Sequence, residues 1–168
     1  MRTIEIKLFK FQELSQEAQQ KTLEKLHDIN VGHNWWDMTY DDAKRIGLQI
    51  DGFDLGRGNN INTEMLWVGS EVAEEVIKEH GESCNTYQIA KKFEQKYIDL
   101  DRKYAEDEEL TDFEEESFEI DSDFKEELQD AYLTILKNEY EYLITEEAIK
   151  ETILANEYEF TVEGGSIY

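Results

Sequence analysis

Leu48-Gln49-Ile50-Asp51-Gly52-Phe53-Asp54-Leu55, then Gly56-Arg57-Gly58-Asn59-Asn60, then Ile61-Asn62-Thr63-Glu64-Met65-Leu66-Trp67-Val68 is the stretch that decides the fold class. Glycine and asparagine tolerate the backbone geometry of a tight reversal, so the two flanks read as paired strands of a hairpin. Outward from the hairpin the period changes from two to that of a helix. Thr39 to Ile46 reads as a short helix stopped by Gly47. Ser70 is expected to cap a helix carrying Val72, Ala73, Val76 and Ile77, closed by Gly81. Thr86 is expected to cap another, with Ile89, Ala90, Phe93, Tyr97, Leu100 and Tyr104 along one face.

Towards the termini the same reading continues. Thr3–Phe9 alternates Ile4, Ile6 and Leu8 with Glu5 and Lys7, the pattern of a half-buried strand. Ser15 starts a helix whose face is Ala18, Thr22, Leu23, Leu26 and Ile29, ending near Asn30. Asp123 to Leu143 carries the strongest helical pattern, with Phe124, Leu128, Ala131, Tyr132, Ile135 and Leu136 on one side. Thr145 caps a last helix with Ala148, Ile149, Ile153 and Leu154. Glu157–Val162 returns as a strand before Gly164-Gly165. The expectation is an α+β fold: a small, mostly antiparallel sheet of about four strands with five or six helices packed on it. Residues 1–168 read as one domain, long enough to bury roughly 70% of the unfolded surface.

Charge is the least evenly spread property of the chain. The net charge is −24, from 41 acidic and 17 basic residues. Residues 99–130 hold sixteen Asp/Glu against Arg102, Lys103 and Lys125, a local net of −13. Such a segment repels itself, so it reads as an anionic surface or a solvated flank. Tyr104, Phe113, Phe118 and Phe124 within it oppose simple disorder, because disordered acidic tails are poor in aromatics. Strong acidity disfavours anionic membranes and nucleic-acid backbones and favours basic protein partners. No apolar run approaches the ~20 residues that cross a bilayer. With Cys84 the single cysteine, no internal disulfide forms, and a cytoplasmic setting is expected.

No constellation announces catalysis. His27, His33 and His80 fit no zinc motif, and Cys84 has no CxxC partner. Asp99-x-Asp101-x-Lys103 begins like a calcium loop, but Lys103, Tyr104 and Leu110 occupy positions that need an oxygen ligand, glycine and glutamate. Gly56-Arg57-Gly58 and Gly164-Gly165 read as turns and not as phosphate cradles. The expectation is no enzymatic activity, no cofactor and no metal site; a carboxylate hydrolase using a divalent ion is the third-ranked class. Trp35-Trp36 with Tyr40 reads as core packing or as an aromatic anchor at an interface, where Trp and Tyr are enriched.

If the acidic segment is helical, Glu108, Asp112, Glu115, Glu116 and Glu119 form a row, since side chains four apart share a face. Asp123, Glu126, Glu127 and Asp130 continue it opposite Phe124, Leu128 and Ala131. A row of this kind can enter a Lys/Arg-lined nucleic-acid groove by the counterion release that DNA itself uses. The candidate partner-binding residues are Glu108, Glu109, Asp112, Glu114, Glu115, Glu116, Glu119, Asp121, Asp123, Glu126, Glu127 and Asp130, with Trp36 as apolar anchor.

Glu13-Leu14-Ser15-x-Glu17-Ala18-x-x-Lys21, Trp35-Trp36, Ile46-Gly47-Leu48-x-Ile50-x-Gly52-Phe53-Asp54-Leu55 and Asn156-Glu157-Tyr158-Glu159-Phe160-Thr161 together resemble a group of small acidic bacteriophage and prophage proteins. Gly164-Gly165 departs from the Asp-Gly expected there, which touches only a turn. The acidic segment lies outside the matching pieces, and these encode packing and turns, so they carry over no site residue. What the resemblance implies is a phage protein acting in the host cytoplasm. By analogy with small acidic phage proteins, the expected function is non-enzymatic inhibition of a nucleic-acid-binding defence protein, of restriction or CRISPR type, by a DNA-mimicking surface. The partner would be a basic host protein, with no direct nucleic-acid or membrane binding. The alternative is an interaction module that binds through its sheet or Trp35-Trp36, its acidity incidental. Exposed aromatics would suit a homodimer, which nothing in the sequence requires.

Overall fold

Phe9 stands opposite Phe160, and Lys10 opposite Glu159, in a short antiparallel pair that ties the two ends of the chain together. The computed structural model describes residues 6–105 and 111–165. In order, its elements are β1 (Phe9–Lys10), a 3-10 turn (Phe11–Glu13), α1 (Gln16–Lys25), α2 (Asp37–Arg45), β2 (Leu48–Asp54), β3 (Asn60–Met65), α3 (Gly69–Glu79), α4 (Asn85–Tyr104), α5 (Thr111–Leu143), α6 (Glu146–Ala155) and β4 (Glu159–Phe160). The class is α+β, as expected. The strands, however, form two separate two-stranded antiparallel sheets, β1–β4 and β2–β3, and not one sheet of four.

The terminal strands explain that difference. Thr3, Ile4 and Glu5 of the expected strand lie outside the described residues; of the rest, Ile6 and Leu8 are exposed, at 59% and 38%, with no layer covering them, and extended pairing among the described residues is confined to Phe9–Lys10. At the other end Glu157 takes a positive φ of 53°, which breaks the extended chain before Glu159. A turn then closes it, with Thr161 N–H donating to the Gly165 carbonyl at 2.8 Å.

The chain divides into two compact units, Met1–Trp35 with Asn138–Tyr168 and Trp36–Lys137. In the first, Phe11, Leu14, Ala18, Leu23, Ile149, Ile153 and Phe160 make the core. Ser15 and Thr145 cap α1 and α6 as read from the sequence, their hydroxyls accepting from Ala18 N–H and Ala148 N–H, each at 3.2 Å. Asn30 is buried and pinned at both ends of its amide: Nδ2 donates to the Leu143 carbonyl, and Oδ1 accepts from the Thr152 hydroxyl at 2.6 Å.

In the second unit β2 and β3 pair from Leu48–Met65 to Asp54–Asn60, with an irregularity between Ile50 and Gly52. Leu48, Ile50 and Ile61 are buried from this hairpin, together with Ala43 and Ile46 of the preceding segment. Gly47 does stop α2: its φ is +81°, open to glycine at little cost, and the Trp67 ring lies where a Cβ would be. The next two helix starts differ from expectation. Ser70 lies inside α3, whose cap residue is Val68, and Thr86 lies inside α4, whose cap residue is Cys84; neither cap makes a side-chain bond. Thr86 is buried and spends its hydroxyl on His80 instead. The strongest expected helix is also longer than read: α5 has 33 residues, about 50 Å of helix.

Candidate partner-binding surface

α4 and α5 of the second unit run antiparallel, and two kinds of contact fix their register. The apolar seam includes Phe93 stacked on Phe124, centroids 4.2 Å apart, and Tyr104 edge-on to Phe113 at 5.7 Å. Beside it runs a ladder of ion pairs: Lys92 with Glu127, Lys96 with Asp123 at 2.7 Å, and Lys103 with Glu116. Each step forward along α4 is matched by an equal step back along α5. Lys103 and then the Tyr104 hydroxyl hold the Glu116 carboxyl below its ordinary range, and Lys96 does the same for Asp123. Three expected partner residues, Glu116, Asp123 and Glu127, are therefore already partnered within the fold.

Asp121 is a fourth with an internal role. Its Oδ1 lies 2.5 Å from where a Cβ on Gly69 would stand, so a side chain at this first residue of α3 would have to displace the Asp121 carboxylate. A carboxylate beside a helix N-terminus is favourably placed, because the partial positive charge of the free amides faces it. Burial, followed by the charge and hydrogen bonding of Asp121, pushes the Tyr97 phenol up to about 12.

What remains outward is a single row. Asp112, Glu115, Glu119, Glu126 and Asp130 are all exposed, and their spacing of three, four, seven and four residues keeps them on one stripe of α5. Among the described residues no ion pair engages them. The row runs about 27 Å, one charge per about 7 Å, against ~3.4 Å along one strand of duplex DNA. It has roughly half the charge density of one strand, enough to attract a basic groove but below a full duplex imitation. Glu114 is exposed but turned ~100° from Glu115 around the helix. Glu108 and Glu109 lie outside the described residues.

Trp36 stands apart from this row in sequence. It is half-buried, edge-on to Phe53 at 5.5 Å and near Tyr40 at 6.5 Å, a packing cluster of α2 and β2. Trp35 lies against Tyr140 in the first unit, 5.8 Å between centroids. The two adjacent tryptophans thus make their ring contacts in different units.

The aromatic on the acidic face is Phe118, 74% exposed, with Glu114, Glu115 and Glu119 one turn or less away on α5. The sequence reading counts it among the aromatics that oppose disorder but not among the partner-binding residues, although the signal was present: it is five residues after Phe113 and six before Phe124, out of phase with the buried row. A polar network was also missed. Tyr132 donates to Asp42 Oδ2 at 2.9 Å, Arg45 reaches Asp42 Oδ1 at 2.8 Å, and His80 Nδ1 meets the Thr86 hydroxyl at 2.7 Å. The His80 Nε2 is buried 3.5 Å from Asp42 Oδ2 without a hydrogen bond. These five side chains link α2, α4 and α5 to the end of α3, and Thr86 is buried at 3% exposure.

Among the described residues no group of three or more His, Cys, Asp or Glu is arranged to hold a metal. Among the described residues no helix is long and apolar enough to cross a membrane. Comparison with protein-family models, curated proteins and solved structures finds no match to this chain.

Proposed function

We propose that this chain is a non-enzymatic binding protein whose α5 row, Asp112, Glu115, Glu119, Glu126 and Asp130, seats in a Lys/Arg-lined groove of a partner protein. The observation that carries the reading is the division of α5 acids into two sets. Glu116, Asp123 and Glu127 are taken by lysines of α4, whereas the outward row has no internal ion pair among the described residues. A solvated surface has no need of such a one-sided stripe, which costs stability through self-repulsion. The partner class that best complements it is a nucleic-acid-binding protein, whose groove is already built to replace condensed counterions. The resemblance to small acidic phage proteins extends this to inhibition of a host defence protein of restriction or CRISPR type.

The test is capture from bacterial lysate at low and high salt, with and without added duplex DNA. A captured nucleic-acid-binding protein released both by salt and by DNA supports the reading. A partner retained in high salt and indifferent to DNA opposes it, because screening weakens exposed charge pairs first.

A further inference from the structure

Two contacts bring one side of α5 against β3 and against the start of α3, the two ends of the segment between them. Gln129 Nε2 donates to the Ile61 carbonyl at 3.2 Å, and the Asp121 carboxylate reaches Gly69. Phe118 stands one helical turn before Asp121, and Val68 immediately precedes Gly69, so both flank the same contact. Their exposures are 74% and 63%, and Leu66 and Trp67 beside Val68 are 43% and 40% exposed. Large apolar side chains left in water beside charged groups are the usual mark of a protein interface. The exposed charges within one turn of these side chains on α5 and α3 are acidic: Glu115 and Glu119 around Phe118, and Glu71 just after Val68.

We propose that Phe118, Val68, Trp67 and Leu66 form the apolar half of the docking surface, and that its occupant is a partner protein presenting apolar side chains flanked by Lys and Arg. Charge complementarity selects this occupant, since these acidic neighbours penalise an acidic or purely neutral apolar surface and reward one carrying basic flanks. The proposal rests on the reading of the α5 row, which supplies the long-range attraction, while the apolar side chains supply binding that salt does not screen. Rings of this kind fit grooves where basic and aromatic side chains alternate, the arrangement that tracks a single nucleic-acid strand.

The experiment titrates the full chain with two peptides of equal positive charge, an amphipathic Lys/Leu helix and its counterpart with serine for every leucine. The Lys/Leu peptide is expected to bind about tenfold more tightly, a difference of ~1.4 kcal/mol, and to keep that advantage in molar salt. The Phe118→Ser, Val68→Ser double variant removes the advantage while leaving the Lys/Ser peptide unchanged, and Phe118→Leu keeps most of it. Equal binding of the two peptides, or an advantage that survives the double variant, overturns the proposal. The row is judged separately: a Lys/Ser peptide that fails to bind at low salt, or binds Glu115→Gln, Glu119→Gln as well as the parent, contradicts the row without touching the apolar comparison.

Discussion

Lys96 Nζ stands 2.7 Å from Asp123 Oδ2, bridging α4 and α5 within the most acidic part of the chain. With the Lys92–Glu127 and Lys103–Glu116 pairs it spends three basic residues on holding one helix against another, in a protein that has only 17. The acidic segment is thus partly an internal electrostatic seam and only partly a surface offered outward.

That seam should respond to acid. Glu116 and Asp123 have carboxyls lowered from ordinary values of 4.5 and 3.8 by Lys103 and Lys96. A lowered carboxyl adds stability above its unfolded value, and the contribution is lost as pH falls through the folded one. The urea midpoint of the parent is therefore expected to fall below about pH 4, and that acid limb is expected to flatten in Lys96→Met, Lys103→Met. Equal acid limbs in the two proteins would show that the pairs contribute nothing.

Tyr97 acts at the other end of the scale. Its phenol is raised from 10.0 to about 12, by burial first and Asp121 second. A raised value favours the protonated folded form, so the stability it adds is complete below pH 10 and lost as pH climbs towards 12. Tyr97→Phe is expected to lose less stability across that interval than the parent, measured by urea unfolding at stepped alkaline pH.

Gly47 is the position where a small change should be costly. Alanine there must hold φ near +81° and place its Cβ about 2.3 Å from the Trp67 ring. Gly47→Ala is expected to destabilise by at least about 2 kcal/mol in urea unfolding, with Trp67 fluorescence altered in the native state.

Tyr132 is fully buried, and its hydroxyl ends on Asp42 Oδ2 at 2.9 Å. Burial and the neighbouring carboxylate push its phenol well above the usual range. Tyr132→Phe keeps the ring and removes the donor, so a loss of about 1–2 kcal/mol is expected, with α2 the element whose amide exchange accelerates. A change of a few tenths would mean that Arg45 alone satisfies Asp42.

Local chemistry explains which parts of the fold were legible beforehand. Ser15 and Thr145 announce their helices because a hydroxyl cap acts within three residues, and Gly47 announces a stop because its positive φ is a local demand. Ser70 and Thr86 looked like caps of the same kind, but the chain enters α3 and α4 two residues earlier in each case, and tertiary burial beside His80 claims Thr86. Period-two alternation marks a strand without saying whether a second strand or layer will cover it, so Ile6 and Leu8 misled where Leu48 and Ile50 did not. The acidic row was legible from spacing once α5 was helical. Which acids would be consumed was not, because the pairing of Lys92, Lys96 and Lys103 with Glu127, Asp123 and Glu116 depends on how two helices meet.

The most direct test reverses the outward row and spares the seam: Glu115, Glu119, Glu126 and Asp130 to Lys, with Glu116, Asp123 and Glu127 untouched. Affinity for the basic partner captured from lysate is then measured beside helix content and the urea midpoint. The expected result is a native helix content, a midpoint no lower than that of the parent, and loss of binding by at least about a hundredfold, ~2.7 kcal/mol. Unchanged affinity in a folded variant would contradict the assignment of this row as the binding surface.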